Sequence, residues 1–176
     1  FKGYIVDDSL YLREYSKVFA WGMLHSSDTE EIRTYYSMLS FVNEAEDSTR
    51  RYYLKRYGLT DEQIQPLPFR PQNRAYVDFM LGEAERAPGA AECMMTCLPC
   101  LISYGWIFGE ILKTAPAAQQ SPYARFVNDY AGDRYDSICK VWEAFTNKAC
   151  AELSPERQAA CLKIFRTCSE HELHFW

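Results

Sequence analysis

The chain has 176 residues, 48% of them apolar, and a formal net charge of −5, which is enough for one domain that buries about two-thirds of the surface its unfolded form exposes. No face of clustered Lys and Arg runs through it, which argues against a nucleic-acid partner and against docking on an anionic membrane. Aromatic residues are in excess, with 13 Tyr, 10 Phe and 4 Trp, so an enclosed aromatic pocket is within its means.

Nothing alternates with period two over a strand's length, whereas apolar residues recur at spacings of three and four, so the class is all-α. Residues 3–24 place Tyr4, Asp8, Tyr11, Leu12, Tyr15, Phe19 and Met23 on or near one helical face. "HSSDTEE" then supplies a capping box with Ser27 as N-cap and Glu30 three residues on, and the helix it starts is expected to run to Gly58, a left-handed stop. Its basic end, "RRYYLKRYG", complements the negative helix terminus. Thr60 and Gln63 repeat the capping pattern, and the proline-spaced "PLPFRPQN" at 66–73 reads as an extended connection.

A further helix is expected from Asn73 to Ala87, broken by Pro88–Gly89, and another from about Ala90 to Lys113. "TAPAAQQSP" reads as a loop ending in Ser121 as N-cap with Pro122 at the first helical position. Gly132 interrupts this segment before a helix from Asp133 to about Ala151, and Ser154–Pro155 start the last one. With no repeat, no low-complexity tract and no linker, residues 1–176 read as one bundle of six or seven helices. The uncharged stretch between Glu92 and Glu110 only touches the lower limit for a membrane span and carries Pro99 and three cysteines, so it reads as a helix buried inside the bundle rather than in lipid.

Seven cysteines is an odd count, and a core this size needs no disulfide staples, so reduced thiols in a cytoplasm-like compartment are expected. Cys93, Cys97 and Cys100 form one stripe at i, i+4 and i+7, which three core thiols explain as well as a working one does. Cys139, Cys150, Cys161 and Cys168 are spread singly, against a zinc site, and the C-x-x-C of "CLPC" lies inside a helix with no sheet beside it, against thioredoxin-like chemistry. Three histidines (His25, His171 and His174) are too few and scattered for a metal cluster, and neither the pocket histidine of a haem site nor the repeated Glu-x-x-His of a di-iron bundle is found. Pro99 costs about 3 kcal/mol in a helix interior unless a kink is wanted, and Cys100 and Tyr104 lie one turn apart beyond it. Asp8 with Tyr11 forms a similar polar pair, and Glu172 precedes Phe175 and Trp176; solvent exposure would account for either carboxylate equally well.

Read together, "YIVDDSLYLREYSKVFAWG", "CLPCLISYGWIFGE", "PYARFVNDYAGDRY" and "EHELHFW" occur in an order that resembles the TenA family, the thiaminase II or aminopyrimidine aminohydrolase proteins, over nearly the whole chain. The resemblance implies a heme-oxygenase-like all-α bundle, a homotetramer, and an enzyme of thiamin biosynthesis and salvage. Its members hydrolyse 4-amino-5-aminomethyl-2-methylpyrimidine to the hydroxymethyl pyrimidine, many also cleave thiamin, and no cofactor or metal is implied. Carried over motif by motif, the catalytic cysteine is Cys100 and its acid Glu172. The substrate-binding residues are Asp8, Tyr11, Tyr104 and Tyr130, the last orienting Glu172. Cys100 places the chain in the cysteine-bearing branch rather than the one with glutamate there. Two departures stand out: Asp7 replaces a frequent glutamine and Phe126 a frequent tryptophan. The family also has a helix before Phe1 and one after Trp176, so the resemblance implies that this chain lacks both.

A soft thiolate adds to an electron-poor pyrimidine, and a carboxylic acid that protonates a ring nitrogen eases the addition. Glu172 would then need its pKa raised to about 6 to 7, which burial among aromatics supplies. A pyrimidine-binding or regulatory protein of the same fold, without turnover, is the competing expectation.

Overall fold

Every residue from Ala90 to Leu101 is buried, and the helix that carries them organises the rest of the molecule. The computed structural model describes residues 1–43 and 47–176. In chain order the helices are α1 (Lys2–His25), α2 (Thr29–Phe41), α3 (Asp47–Tyr57), α4 (Asp61–Ile64), α5 (Pro71–Arg86), α6 (Ala90–Thr114), α7 (Ala124–Ala131), α8 (Asp133–Ala151) and α9 (Pro155–Phe175). No strand occurs among the described residues.

Helix α6 is the hub, packed against α9, α7, α8, α1 and α5, while α1 also packs on α5 and α2 and α5 packs on α9. By length and composition alone α6 would reach across a membrane, yet its first half is enclosed by neighbouring helices, as expected of a central bundle helix. It continues without interruption through Pro99. Tyr15 donates to the carbonyl of Cys97 at 2.9 Å, which ties this stretch to α1.

Several boundaries differ from the sequence expectation for identifiable reasons. The single helix expected from Ser27 to Gly58 divides among the described residues into α2 and α3, with residues 44–46 outside them. Its N-cap is Asp28, which accepts from the Glu31 amide at 2.9 Å. Ser27 instead donates its amide and hydroxyl to the Glu31 carboxylate, so the N-cap lies one residue later than expected and the reciprocal bond of a capping box is made by Ser27 rather than by the cap. The expected box at Thr60 and Gln63 forms as read and opens the one-turn α4. Helix α5 starts at Pro71 rather than Asn73, because proline at the first helical position needs no amide partner. The loop expected after α6 contains a 3₁₀ turn over Pro116–Gln120. Ser121 caps only a turn, accepting from the Tyr123 amide at 3.1 Å, and α7 begins at Ala124. Gly58 stops α3 with φ of +65°, the conformation that glycine adopts without penalty.

Candidate active site

Four helices converge on one aromatic chamber. From α1 come Tyr4, Asp8 and Tyr11, spaced at i, i+4 and i+7 so that one face delivers all three. Helix α6 brings Cys100 and Tyr104, α9 brings Glu172 and Phe175, and α5 brings Tyr76; all are buried. Tyr130 on α7 forms a further wall, its ring 5.1 Å from that of Tyr104. The six residues carried over from the resemblance therefore lie in one neighbourhood.

Glu172 is the centre of the hydrogen bonding. Tyr76 donates to its Oε1 at 2.8 Å, and Cys100 and Tyr11 stand near enough to favour its ionised form. Tyr11 in turn donates to the Tyr76 hydroxyl at 3.2 Å. Burial pushes the Glu172 carboxyl up to about 7, with Tyr76, Cys100 and Tyr11 pulling the other way. Burial likewise pushes Asp8 up to about 7, opposed by the field of Arg50 and assisted by that of Glu172. Two carboxyls in one chamber raise one another, because a second negative charge in a poorly solvated space is costly. Asp7, the departure beside Asp8, is turned away into an ion pair with Arg70.

Two residues absent from the sequence-based site complete this network. Tyr4 stands near enough to Asp8 to favour its ionised form, and its hydroxyl lies 2.7 Å from that of Tyr104, so it stands between the α1 carboxyl and α6. Tyr76 holds Glu172 as described. Tyr4 was visible only as part of an apolar stripe, and Tyr76 sits in "RAYVDFM" with nothing to mark it from a core aromatic. Burial holds the phenols of Tyr4, Tyr11, Tyr76 and Tyr104 far above their ordinary range, so all four stay neutral and can donate.

The three-cysteine stripe resolves by environment. Cys93 and Cys97 have no exposed surface, while Cys100 retains 9%. Burial raises the Cys93 thiol to about 12 and also raises Cys97. Cys97 spends its hydrogen locally, on the carbonyl of Met94 at 3.4 Å. Cys100 alone of the three bears on the protonation of Glu172. Next to Tyr4 an open cleft of about 530 Å³ is lined by Phe1, Arg70, Tyr123, Phe175 and Trp176, with the Trp176 ring stacked on Tyr4 at 4.6 Å.

Fold and site together define a helical-bundle protein whose buried thiol shares an aromatic enclosure with two carboxyls that burial pushes up to about 7. The chain belongs to the TENA/THI-4/PQQC family, which it matches over residues 1–176. An aminopyrimidine aminohydrolase of Halalkalibacterium halodurans is 29% identical over all of this chain, which spans 78% of that protein. Another from Helicobacter pylori is 27% identical, again over the whole chain and 81% of the relative. Among solved structures, a TenA family transcription regulator from Silicibacter superposes with a TM-score of 0.89 at 22% identity, covering 100% of this chain and 79% of that one. A TenA homologue from Pyrococcus furiosus gives 0.87 at 15% identity, covering 100% and 81%. The fold is thus the heme-oxygenase-like bundle that the sequence motifs imply.

Proposed function

We infer that the protein is a hydrolase of thiamin salvage, an aminopyrimidine aminohydrolase that converts 4-amino-5-aminomethyl-2-methylpyrimidine to its hydroxymethyl counterpart. The observation that carries this is the convergence, in one aromatic chamber, of the buried Cys100 thiol and a buried Glu172 carboxyl that burial pushes up to about 7. Membership of a family whose relatives are named aminopyrimidine aminohydrolases supports the same reading.

In the proposed sequence the Cys100 sulfur bonds to a ring carbon of the pyrimidine, its proton passing to the substrate's amine, while Glu172 gives its proton to a ring nitrogen. Electrons returned from the ring expel the amine as ammonia from the exocyclic methylene, and water adds its hydroxyl there and leaves its proton for the Cys100 sulfur. Reversal of the first step releases the thiol and returns the nitrogen's proton to Glu172. Asp8 holds the ring's amino group and the adjacent nitrogen, Tyr11 and Tyr104 offer faces for stacking, and Tyr76 orients Glu172. Thiamin enters the same scheme with its thiazolium as leaving group.

The test is incubation with the aminomethyl pyrimidine and with thiamin, following release of ammonia and of thiazole. Replacing Cys100 by Ser is expected to lower turnover at least about 100-fold, because the oxygen is a far poorer nucleophile at neutral pH. Pyrimidine binding without turnover in the unaltered protein would favour a regulatory binding protein instead.

The reading brings with it a homotetramer in a cytoplasm-like compartment. Exposed apolar side chains such as Tyr36, Trp106 and Leu162 supply surface for association, and light scattering on the eluting protein measures the assembly.

A further inference from the structure

Two consecutive residues of α9 grip one phenol of α5. Glu172 accepts from the Tyr76 hydroxyl at 2.8 Å, and His171, the residue before it, lays its imidazole along the Tyr76 ring with centroids 5.3 Å apart and planes 8° from parallel. The same imidazole lies 5.5 Å from the ring of Phe79, which follows Tyr76 at i+3 on one face of α5. His171 is thus seated on a pair of α5 rings, and among the described residues its own ring makes no hydrogen bond. Tyr76 has no exposed surface, and Tyr11 donates to its hydroxyl at 3.2 Å. A phenol's oxygen lies on the axis of its ring, so turning the ring leaves the oxygen in place. The hydrogen does move, because conjugation keeps the O–H bond near the ring plane. The plane of Tyr76 therefore decides whether its hydrogen meets Glu172 squarely or at an angle where the bond weakens. A flat neighbour fixes that plane, and near-parallel offset stacking is an arrangement that two such rings favour.

We propose that His171 is a positioning residue: its imidazole, stacked on Tyr76, sets the plane of that ring and so the aim of the hydrogen that Tyr76 gives to Glu172. As a role in catalysis this rests on the aminohydrolase reading, whereas the bond itself can be followed without turnover. Burial, helped by the field of His174 and opposed by that of Glu170, holds the imidazole below its ordinary range. Near neutral pH the ring is therefore uncharged and stacks without placing a positive field beside Glu172.

Two substitutions of different shape test this. His171→Phe keeps a flat ring on Tyr76, while His171→Leu is equally apolar but offers no plane. Both put a side chain of comparable bulk at a half-buried position, so neither should unfold the bundle. The readout is NMR titration of isotope-labelled glutamate carboxyls, with the Glu172 signal identified by its loss in Glu172→Gln. Asp8, Cys100 and Tyr11, which also bear on Glu172, stay the same throughout. In the Leu variant Glu172 should titrate about 0.5 pH unit higher than in the Phe variant, because a misdirected phenol stabilises the carboxylate less. In a Tyr76→Phe background, with no hydrogen to aim, the Leu and Phe substitutions should leave Glu172 titrating alike. Turnover of the aminomethyl pyrimidine should follow: kcat about three- to tenfold lower in the Leu variant with KM within about twofold, and restored by Phe to within about twofold of the parent. Equal titration of Glu172 in the Leu and Phe variants would overturn the proposal, as would a difference between them that persists without the Tyr76 hydroxyl. If the unaltered protein turns over no pyrimidine, the aminohydrolase reading falls, and the carboxyl titration still decides whether His171 aims Tyr76.

Discussion

The Tyr76 hydroxyl donates to Glu172 Oε1 at 2.8 Å while accepting from Tyr11 at 3.2 Å, so the α9 carboxyl is oriented from α5 and, one bond further back, from α1. A phenol that donates to a carboxylate stabilises its ionised form, and Tyr76 is the largest of the influences holding the Glu172 pKa down against burial. Replacing Tyr76 by Phe removes that donor and keeps the ring. A hydrogen bond to a charged group is worth about 1.5–3 kcal/mol, so Glu172 should keep its proton to a pH about one unit higher or more. The alkaline limb of the kcat/KM profile should move up by that amount, with kcat lower by about tenfold because the acid is less well aimed. An unmoved alkaline limb would mean that Tyr76 has no hold on the group that titrates.

Stability should depend on pH in an unusual direction. Asp8 and Glu172 are both held up to about 7 in the folded protein by burial, while in the unfolded chain they titrate near about 4. Between about pH 4 and pH 7 the folded state binds more protons than the unfolded one, so the stabilising effect is complete below pH 4 and is lost as pH rises through 7. Each group contributes about 4 kcal/mol to that decline if taken alone, and less when the two titrate as a coupled pair. Melting temperature should therefore fall across this window, other carboxylates permitting. The Glu172→Gln variant, which cannot ionise, should show a shallower fall than the parent. Identical slopes in the two proteins would show that Glu172 is already ionised at low pH.

Helix-forming stretches were legible because burial imposes a 3.6-residue rhythm on an all-α chain, and caps such as Thr60 with Gln63 are local chemistry. Boundaries failed where two residues competed for one role, as Ser27 and Asp28 do at the start of α2. The chamber was legible only in part. Spacing presents Cys93, Cys97 and Cys100 as one stripe, and which of them faces a carboxyl is decided by α9, far along the chain. Tyr76 is the clearest case: its hydroxyl matters only because α5 and α9 pack together, and no neighbour in sequence reports that. The resemblance to known proteins ordered the residues of α1, α6 and α9 where periodicity alone left them level.

Close packing of α1 on α2 fixes Gly22. A methyl group added there would sit 2.1 Å from the Tyr35 ring. That ring has no exposed surface, and its hydroxyl is anchored to the carbonyl of Ala90 at 2.5 Å. The side chain cannot swing aside without giving up this bond, so the helices themselves must part. Gly22→Ala should therefore destabilise by about 2–3 kcal/mol, against the small gain that alanine usually brings to a helix interior. Equilibrium urea unfolding measures this, and an unchanged or raised midpoint would show that α1 and α2 have more room than their contact indicates.

The ion pair between Arg157 and Glu92 separates two kinds of loss. Glu92 is buried in the first turn of α6, where the helix dipole favours a negative charge, while the Arg157 side chain is 43% exposed. Replacing Arg157 by Ala strands the carboxylate, and stranding a buried charge costs about 3–5 kcal/mol when solvent is fully excluded. The dipole and the solvent at Arg157 reduce that to about 2 kcal/mol. Replacing Glu92 as well removes the stranded charge, so the Glu92→Ala, Arg157→Ala double variant should be less unstable than the sum of the two single ones by at least about 1 kcal/mol. Strict additivity in a double-mutant cycle would mean that the two side chains do not interact in solution, and that the start of α9 is held on α6 by apolar packing alone.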